Sequence, residues 1–302
     1  MVATNKTCCK TRPTFVMLVG IPGSGKSTYA NMRINEASTY TRYFSSDVIR
    51  GEIYGDENCQ KDPGKVFDIM HSRTIEALKS GYDVIYDATN ITRKNRKQIL
   101  DKLPAYVEKE CVIVWAPVDV CILRDSLRER TVGADVILNM LKRFEAPFFD
   151  EGFDSIFVHD PTRTEDSANT YYISCMEAMK LPHDNPHHSV DIAEHCKQCG
   201  DKLLAINLPQ VVKFAGYVHD VGKPLTKTFT NMKGETTDIA HYYGHQSVGA
   251  WMSYGFLVGN ITLAWLISTH MAPYINKKYY DSLDPLYKNW ITELHDADVK
   301  AH

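Results

Sequence analysis

A glycine-rich loop near the N-terminus constrains the fold of this chain more than any other sequence feature. The apolar run at residues 15–20 leads directly into the segment GIPGSGKST at residues 20–28, and a helical pattern begins at Lys26. This segment fits the pattern GxxxxGK followed by Ser or Thr, whose glycines let consecutive backbone N–H groups curl around a phosphate. The helix that follows adds the positive end of its dipole. The sequence therefore predicts a strand, loop and helix that bind phosphate.

The side chains of the loop have separate expected roles. Lys26 is expected to reach the β- and γ-phosphates of a nucleotide, and the Ser27 hydroxyl to bind Mg²⁺. The predicted cofactors of this region are therefore ATP and Mg²⁺. The expected nucleotide-binding residues are Gly20, Gly23, Ser24, Gly25, Lys26, Ser27 and Thr28.

Short β-branched runs alternate with helical patterns through the first 160 residues. Strands are predicted at residues 15–20, 83–87, 111–116 and 155–158, and helices at 26–36, 65–80 and 93–102. This alternation is typical of an α/β fold with a mostly parallel sheet and helices on both faces.

Three further patches in this half carry chemistry. The segment SSDVIR follows a predicted strand and offers the carboxylate of Asp47 toward the γ-phosphate. The segment DATN, residues 87–90, lies at the carboxyl end of another strand, where open α/β sheets bind ligands. A helical stretch with Arg124, Arg128 and Arg130 precedes TVGA, a hinge that would let arginines close over developing charge.

Together these motifs resemble the kinase domain of the bacteriophage polynucleotide kinase family and its P-loop relatives, over residues 13–160. The resemblance implies a P-loop kinase fold, with Asp47 as the general base and Arg128 as the lid arginine that bridges the donor phosphates; Arg130 is its rival. It also implies an acceptor site formed by Arg50, Asp87, Thr89 and Asn90. The segment RFEAP at residues 143–147 is similar to transfer-RNA seryl kinases and zeta-toxin-like kinases, which leaves the acceptor open.

Histidines are concentrated in the second half, because only His71 and His159 of the 12 histidines precede residue 161. Eight of the ten histidines in this half occur in five motifs: PHHSVDIAEH, VHDVGK, HYYGH, STHM and HDAD. Imidazoles with carboxylates suit Mn²⁺, Mg²⁺, Fe²⁺ or Ni²⁺ and are adequate for Zn²⁺. The segments 203–218 and 246–258 look helical, so we expect an all-α scaffold.

This arrangement resembles the HD phosphohydrolase superfamily over residues 183–302. The resemblance implies an all-α HD domain and a role for Lys223 in binding the scissile phosphate. Asp296 competes with Asp298 for the last ligand position, which we assign to Asp298. The implied metal ligands are His195, His219, Asp220, His245, His270 and Asp298.

The composition change near residue 160 predicts two domains, at residues 1–160 and 183–302, joined by a polar linker at 161–182. A net charge of −3 argues against a protein that coats nucleic acid through bulk charge. The sequence contains no apolar run of transmembrane length and no secretory signal, so we expect a cytoplasmic protein without membrane contact, in the host cytoplasm if phage-encoded. Its cysteines are expected to be reduced thiols.

The leading functional hypothesis is a bifunctional end-healing enzyme for nucleic acid. The P-loop domain would phosphorylate 5′-hydroxyl ends with ATP, and the HD domain would remove a 2′, 3′ or 2′,3′-cyclic phosphate. The alternative is a kinase of a small metabolite or transfer RNA fused to an HD nucleotide phosphohydrolase. The basic run Arg93, Lys94, Arg96 and Lys97 either lines a nucleic-acid channel or forms a solvated helix face. The sequence leaves the oligomeric state open.

Overall fold

The computed structural model describes residues 12–36, 40–57, 59, 61–129, 131–186, 190–256 and 260–301. The N-terminal half contains a five-stranded sheet, in the order β2-β3-β1-β4-β5. Every neighbouring pair of its strands is parallel, as predicted. The strands are β1 (Thr14–Val19), β2 (Thr41–Ser45), β3 (Asp83–Asp87), β4 (Glu108–Val114) and β5 (Ser155–His159).

Helices cover both faces of this sheet because its central strand is apolar on both. In β1, Phe15 and Met17 pack into one apolar cluster, whereas Val16 and Leu18 pack into another. Successive side chains of a strand point to opposite faces, so each face needs its own cover. The helices of this half are α1 (Lys26–Glu36), α2 (Ser46–Tyr54), α3 (Pro63–Lys79), α4 (Arg93–Leu100), α5 (Val118–Ser126) and α6 (Ala134–Leu141).

The second half is mostly helical, but the expected all-α scaffold is wrong in one detail. An antiparallel hairpin, β6 (Thr228–Thr230) and β7 (Thr236–His241), interrupts the helices. The helix expected over 203–218 divides where Pro209 caps a new helix, and part of the helix expected over 246–258 lies outside the described residues. The helices are α7 (Glu165–Ala178), α8 (Ile192–Leu204), α9 (Gln210–Val218), α10 (Lys223–Thr226), α11 (His245–Ser253), α12 (Ile261–Thr269), α13 (Ala272–Ile275), α14 (Lys277–Asp281) and α15 (Pro285–Val299).

The segment 161–182, expected as a linker, contains a packed helix instead. Thr164 caps α7 because its Oγ1 accepts a hydrogen bond from the backbone N–H of Ser167 at 3.1 Å. Cys175 and Met179 are buried in the core. The polar residues that suggested a linker therefore form a helix cap and a solvated helix face.

The two halves are joined by an aromatic contact, and their apolar residues form one continuous core. Trp115 Nε1 donates to the Trp251 carbonyl at 2.8 Å, and Trp251 Nε1 donates to the Ala116 carbonyl at 3.1 Å. Phe148 stacks on Trp265 with ring centroids 4.3 Å apart. Among the described helices, none combines the length and the apolar character needed to cross a bilayer.

Candidate active site and candidate metal centre

The glycine-rich loop connects β1 to α1, and its course requires glycine at two positions. Gly23 and Gly25 have φ angles of +80° and +104°, in the left-handed region that other residues avoid. A Cβ atom on Gly23 would lie 2.1 Å from the carbonyl oxygen of Cys121. The backbone at Gly23 therefore approaches α5 too closely for any side chain.

Lys26 folds back over the loop that precedes it. Its Nζ donates to the carbonyl oxygens of Gly20 at 2.8 Å and Ile21 at 3.1 Å. Burial lowers the pKa of Lys26, and the nearby carboxylate of Asp87 opposes that shift. The loop therefore holds an amino group at the place where the sequence predicts nucleotide phosphates.

Ser24 indicates independently that this loop binds a ligand. Its hydroxyl oxygen is buried and has no hydrogen-bond partner among the described residues. An unsatisfied buried polar group costs about 1–3 kcal/mol, which a phosphate oxygen would offset. Ser27 and Thr28 are exposed in the first turn of α1. These residues therefore fit a nucleotide with its Mg²⁺ ion, with Ser27 as the hydroxyl ligand.

Asp87 ends β3 beside this loop, at the carboxyl edge of the sheet. Its Oδ2 accepts a hydrogen bond from the Tyr43 hydroxyl at 2.8 Å. Burial raises the pKa of Asp87, and the Lys26 ammonium opposes the rise. The structure thus places Asp87 near the expected phosphate position, where a carboxyl group could orient an acceptor.

Asn90, also expected in the acceptor site, uses its amide to join strands. Asn90 is buried, and its Nδ2 donates to the carbonyl oxygens of Leu18 at 2.7 Å and Ala88 at 3.3 Å. The backbone N–H of Gly20 donates to the Thr89 carbonyl at 3.1 Å. Thr89 and Asn90 therefore fix the glycine-rich loop against the end of β3, a supporting position that the sequence did not suggest.

Asp47 lies in the first turn of α2, exposed at the same edge of the sheet. The Ser45 hydroxyl caps this helix by accepting from the backbone N–H of Asp47 at 3.2 Å. The Asp47 carboxylate forms an ion pair with Arg50 on the next turn. Asp47 acts electrostatically on both Lys26 and Asp87. The structure therefore brings the expected base, the expected phosphate-binding lysine and Asp87 into one neighbourhood.

The segment 124–133, here named the lid segment, begins in the last turn of α5 beside the glycine-rich loop. Arg124 Nη1 lies 3.5 Å from the carbonyl oxygens of both Gly23 and Ser24. Arg128 is exposed and acts electrostatically on Lys26, whereas Arg130 lies outside the described residues. The resemblance favours Arg128, but the arginine directly over the loop is Arg124.

Asp125 holds the far end of the lid segment, a role that the sequence did not reveal. Its buried Oδ2 accepts hydrogen bonds from the backbone N–H groups of Val132 and Gly133, each at 3.0 Å. Gly133 has a φ of +88°. The expected hinge is therefore a turn fixed by a buried carboxylate.

The histidine-rich half brings all six predicted metal ligands together. In each of two groups, the candidate donor atoms lie within 4.8 Å of one another. The shared member, Asp220, is supplied by the turn after α9. One group is His195, His219, Asp220 and Asp298, and the other is Asp220, His245 and His270.

Four imidazoles of these groups are oriented in the same way. Each Nδ1 lies within 2.9 Å of a backbone carbonyl oxygen, which fixes the proton on Nδ1 and leaves Nε2 as a lone-pair donor. The backbone partners belong to Ala301, Gly216, Tyr242 and Ile267, for His195, His219, His245 and His270 respectively.

The Nε2 atoms converge on one another and on the carboxylates, and His195 Nε2 lies 2.9 Å from Asp298 Oδ1. His245 Nε2 lies 3.3 Å from His270 Nε2, and the buried His219 Nε2 has no hydrogen-bond partner among the described residues. Burial lowers the pKa of His270 to about 3, so this ring is neutral. Facing lone pairs repel, and a cation between them would remove that repulsion. The donor set therefore fits divalent metal ions.

Lys223 and His183 border the metal groups on one side. Lys223 Nζ lies 2.6 Å from Asp220 Oδ2 and 3.3 Å from His183 Nε2. Burial opposes ionisation of Asp220, but the Lys223 ammonium holds the pKa of that carboxyl well below its usual range. His183 was missed from the sequence, although it belongs to the same histidine-rich half. Residues 187–189 of the first histidine motif lie outside the described residues.

Comparison with known proteins found a family model that matches part of the N-terminal half. Residues 15–147 match a family model described as an AAA domain. The matched residues contain the glycine-rich loop and strands β2, β3 and β4. The transcription factor bHLH140 of Arabidopsis thaliana is 26% identical over 171 residues, which cover 54% of this chain and 18% of that protein.

Two further similarities are distant. The human 6-phosphofructo-2-kinase/fructose-2,6-bisphosphatase 1 is 27% identical over 157 residues, 44% of this chain. The chain therefore spans 18% of the first of these curated relatives and 33% of the second. A chain from the structure of the Pnkp1/Rnl/Hen1 RNA repair complex is 23% identical, with a TM-score of 0.41, and the match covers 47% of this chain and 46% of that chain.

Proposed function

We propose that the N-terminal half transfers the γ-phosphate of ATP to a 5′-hydroxyl end of nucleic acid. The observation that carries this proposal is the glycine-rich loop with its unpaired Ser24 hydroxyl, beside Asp47 and Asp87 at the same sheet edge. A phosphate cradle facing carboxylates suits transfer to a hydroxyl group, since a carboxylate can accept the hydroxyl proton.

Each side chain has a defined task in this proposal. Lys26 binds the β- and γ-phosphates, and Asp47 accepts the proton of the attacking hydroxyl. Arg50 holds the Asp47 carboxylate in place through their ion pair. Arg124 and Arg128 approach the transferred phosphate from the lid segment. Mg²⁺, bound with the nucleotide and held by Ser27, supplies neutralising charge on the phosphates.

The kinase proposal is tested with radiolabelled ATP and a panel of acceptors. The panel contains 5′-hydroxyl DNA and RNA oligonucleotides, transfer RNA, nucleosides and sugars. Asp47→Asn should reduce transfer by roughly 10²–10⁴-fold, because a general base contributes that factor. Asp166→Asn is the matched control, since Asp166 is likewise an exposed aspartate in a first helical turn. Transfer to sugars or transfer RNA alone would support the alternative acceptors instead.

We propose a second activity for the helical half, that of a metal-dependent phosphohydrolase. The observation that favours it is the pair of metal groups sharing Asp220, with four Nε2 atoms turned inward. We place the substrate phosphate against Lys223, whose ammonium lies at the border of the groups. A divalent metal such as Mn²⁺, Ni²⁺, Fe²⁺ or Zn²⁺ would supply an acidified water molecule at this position.

The substrate of this second site is proposed to be a 2′-phosphate, 3′-phosphate or 2′,3′-cyclic phosphate end. Such an activity would complement the kinase, since ligation needs both ends of a break to be corrected. The test combines metal analysis of the purified protein with phosphate release from these three ends and from free nucleotides. Hydrolysis of nucleotides alone would favour the alternative, and a metal-free protein with full hydrolytic activity would exclude the proposed site.

A further inference from the structure

A large cleft lies at the junction of the two halves, outside both sites described above. Its volume is about 930 Å³. The N-terminal half contributes the start of α4 and the segment after α6, and the helical half contributes α11 to α14. Its polar and charged lining includes Arg93, Lys94, Lys97, Arg143, Ser247 and Lys278.

Three of the cationic side chains in this cleft are unneutralised. Lys94, Arg143 and Lys278 are exposed, and within the described ranges none has a carboxylate within 4.0 Å. They come from three different elements: α4, the segment after α6, and α14. In a chain with a net charge of −3, this concentration of free positive charge indicates an anionic ligand.

The remaining charged groups of the lining are already occupied. Arg93 pairs with Asp150 at 2.7 Å, and Lys97 pairs with Asp101 at 2.8 Å. The carboxylate of Glu145, which also lines the cleft, accepts the backbone N–H of Arg93 at 2.7 Å. These contacts hold Arg93, Lys97 and Glu145 in place. The three cations without a carboxylate partner therefore provide the attraction for an anionic ligand.

The lining of the cleft includes sequence neighbours of both candidate sites. Thr92 and Arg93 line it on one side, shortly after the Asp87–Asn90 segment beside the glycine-rich loop. On the other side lie Ser247, two residues after His245, and Thr269, which immediately precedes His270. The lining of the cleft thus includes residues that are close in sequence to both candidate sites.

We propose that this cleft binds the phosphodiester backbone of a nucleic-acid strand, with Lys94, Arg143 and Lys278 on successive phosphates. The inference rests on the proposed kinase function and deepens it, because it extends substrate contact beyond the reacting end. The volume exceeds the need of a single phosphate and suits several nucleotides of a strand. Cations from three separate elements suit a chain of phosphates, whereas one phosphate group calls for convergent donors.

The test compares two triple variants of the full chain. The cleft variant carries Lys94→Gln, Arg143→Gln and Lys278→Gln. The control variant carries Lys102→Gln, Lys180→Gln and Lys277→Gln, three exposed lysines that do not belong to the lining. Binding of a fluorescent single-stranded 5′-hydroxyl 20-mer is measured by anisotropy over a series of salt concentrations.

The cleft variant should lose affinity by on the order of tenfold or more, with a shallower salt dependence. Its slope of log K against log salt should fall by about 2, since each single-strand phosphate contact contributes about 0.7. The control variant should match the wild type. The single variants Lys278→Gln and Lys277→Gln repeat the comparison at adjacent positions of one helix.

The outcomes separate this inference from the kinase proposal. If the wild type binds the 20-mer with this salt dependence but phosphorylates no acceptor, the kinase proposal is overturned and the cleft proposal stands. If the wild type is an active kinase but the cleft variant binds the 20-mer like the control variant, only the cleft proposal is overturned. Equal loss of affinity for inorganic phosphate and for the 20-mer would assign the cations to an isolated anion and also overturn the strand proposal.

Discussion

The two halves of this molecule build their candidate sites from different parts of the chain. In the N-terminal half the backbone provides the shape, since Gly23 and Gly25 set the course of the loop and Lys26 is held by loop carbonyls. In the helical half the side chains provide the shape of the site, since His245 and His270 point their Nε2 atoms at each other. There the backbone acts only by holding each Nδ1.

This difference changes what each site depends on. The loop is one continuous segment, so its geometry depends on local conformation and on the strand that precedes it. The metal groups join residues from His195 to Asp298 and depend on the packing of α8, α9, α11, α12 and α15. Because a bound ion would hold these helices together, metal binding and folding are linked in this half. The comparison teaches that only the helical half should lose its geometry when metal is removed.

Replacement of Asp220 by Ala tests this contrast with the largest expected effect. Asp220 belongs to both metal groups, so the variant should lose bound metal from the whole centre. Phosphohydrolase activity should disappear, while phosphate transfer from ATP persists once Mg²⁺ is supplied. Metal analysis by mass spectrometry and both activity assays measure this.

Asp296→Ala is the control for that experiment. Asp296 is exposed on the same helix as Asp298 and was the rival for its place in the sequence pattern. This variant should keep its metal. Loss of both activities in Asp220→Ala would contradict the separation of the two sites and show that the metal supports the whole molecule.

A buried ion pair between Arg96 and Glu151 allows a sharper test of the N-terminal half. Arg96 is fully buried, and its Nε and Nη2 donate to the Glu151 carboxylate at 2.7 Å each. Glu151→Gln would leave a buried guanidinium unpaired, which should lower the free energy of unfolding by about 3–5 kcal/mol. Glu177→Gln breaks the exposed pair with Lys180 and should change it by less than about 1 kcal/mol.

Urea unfolding of both variants measures these changes. Arg96 Nη1 also donates to the Asn90 carbonyl at 3.0 Å, so the pair supports the segment that fixes the glycine-rich loop. ATP binding should therefore weaken together with stability. A Glu151→Gln variant as stable as the Glu177→Gln variant would mean that the guanidinium is solvated and that the loop needs no such support.

Arg96 also shows where sequence reasoning reaches its limit. The glycine-rich loop and the parallel sheet were predictable because their signals are local: a nine-residue motif and buried β-branched runs. In the run RKNRK every cation looks alike, and only tertiary packing turns Arg96 inward while Lys94 stays exposed. Asp125 and His183 were missed for the same reason, since their roles come from partners that are distant or unremarkable in sequence.

The smallest expected effect concerns the contact between the halves. Trp251→Phe keeps an aromatic ring but removes the Nε1 donor to the Ala116 carbonyl. The lost bond should lower the free energy of unfolding by about 0.5–1.5 kcal/mol, because the Ala116 carbonyl then keeps only the Cys121 Sγ as a donor, at 3.6 Å. Trp115→Phe removes the reciprocal bond to the Trp251 carbonyl. Since the two bonds span one interface, a double-mutant cycle should give a coupling energy of about 0.5 kcal/mol or more. Strictly additive effects of the two substitutions on the free energy of unfolding would contradict this coupling. If the protein also lost ATP binding and metal binding in two separate unfolding transitions, the halves would fold independently despite their shared core.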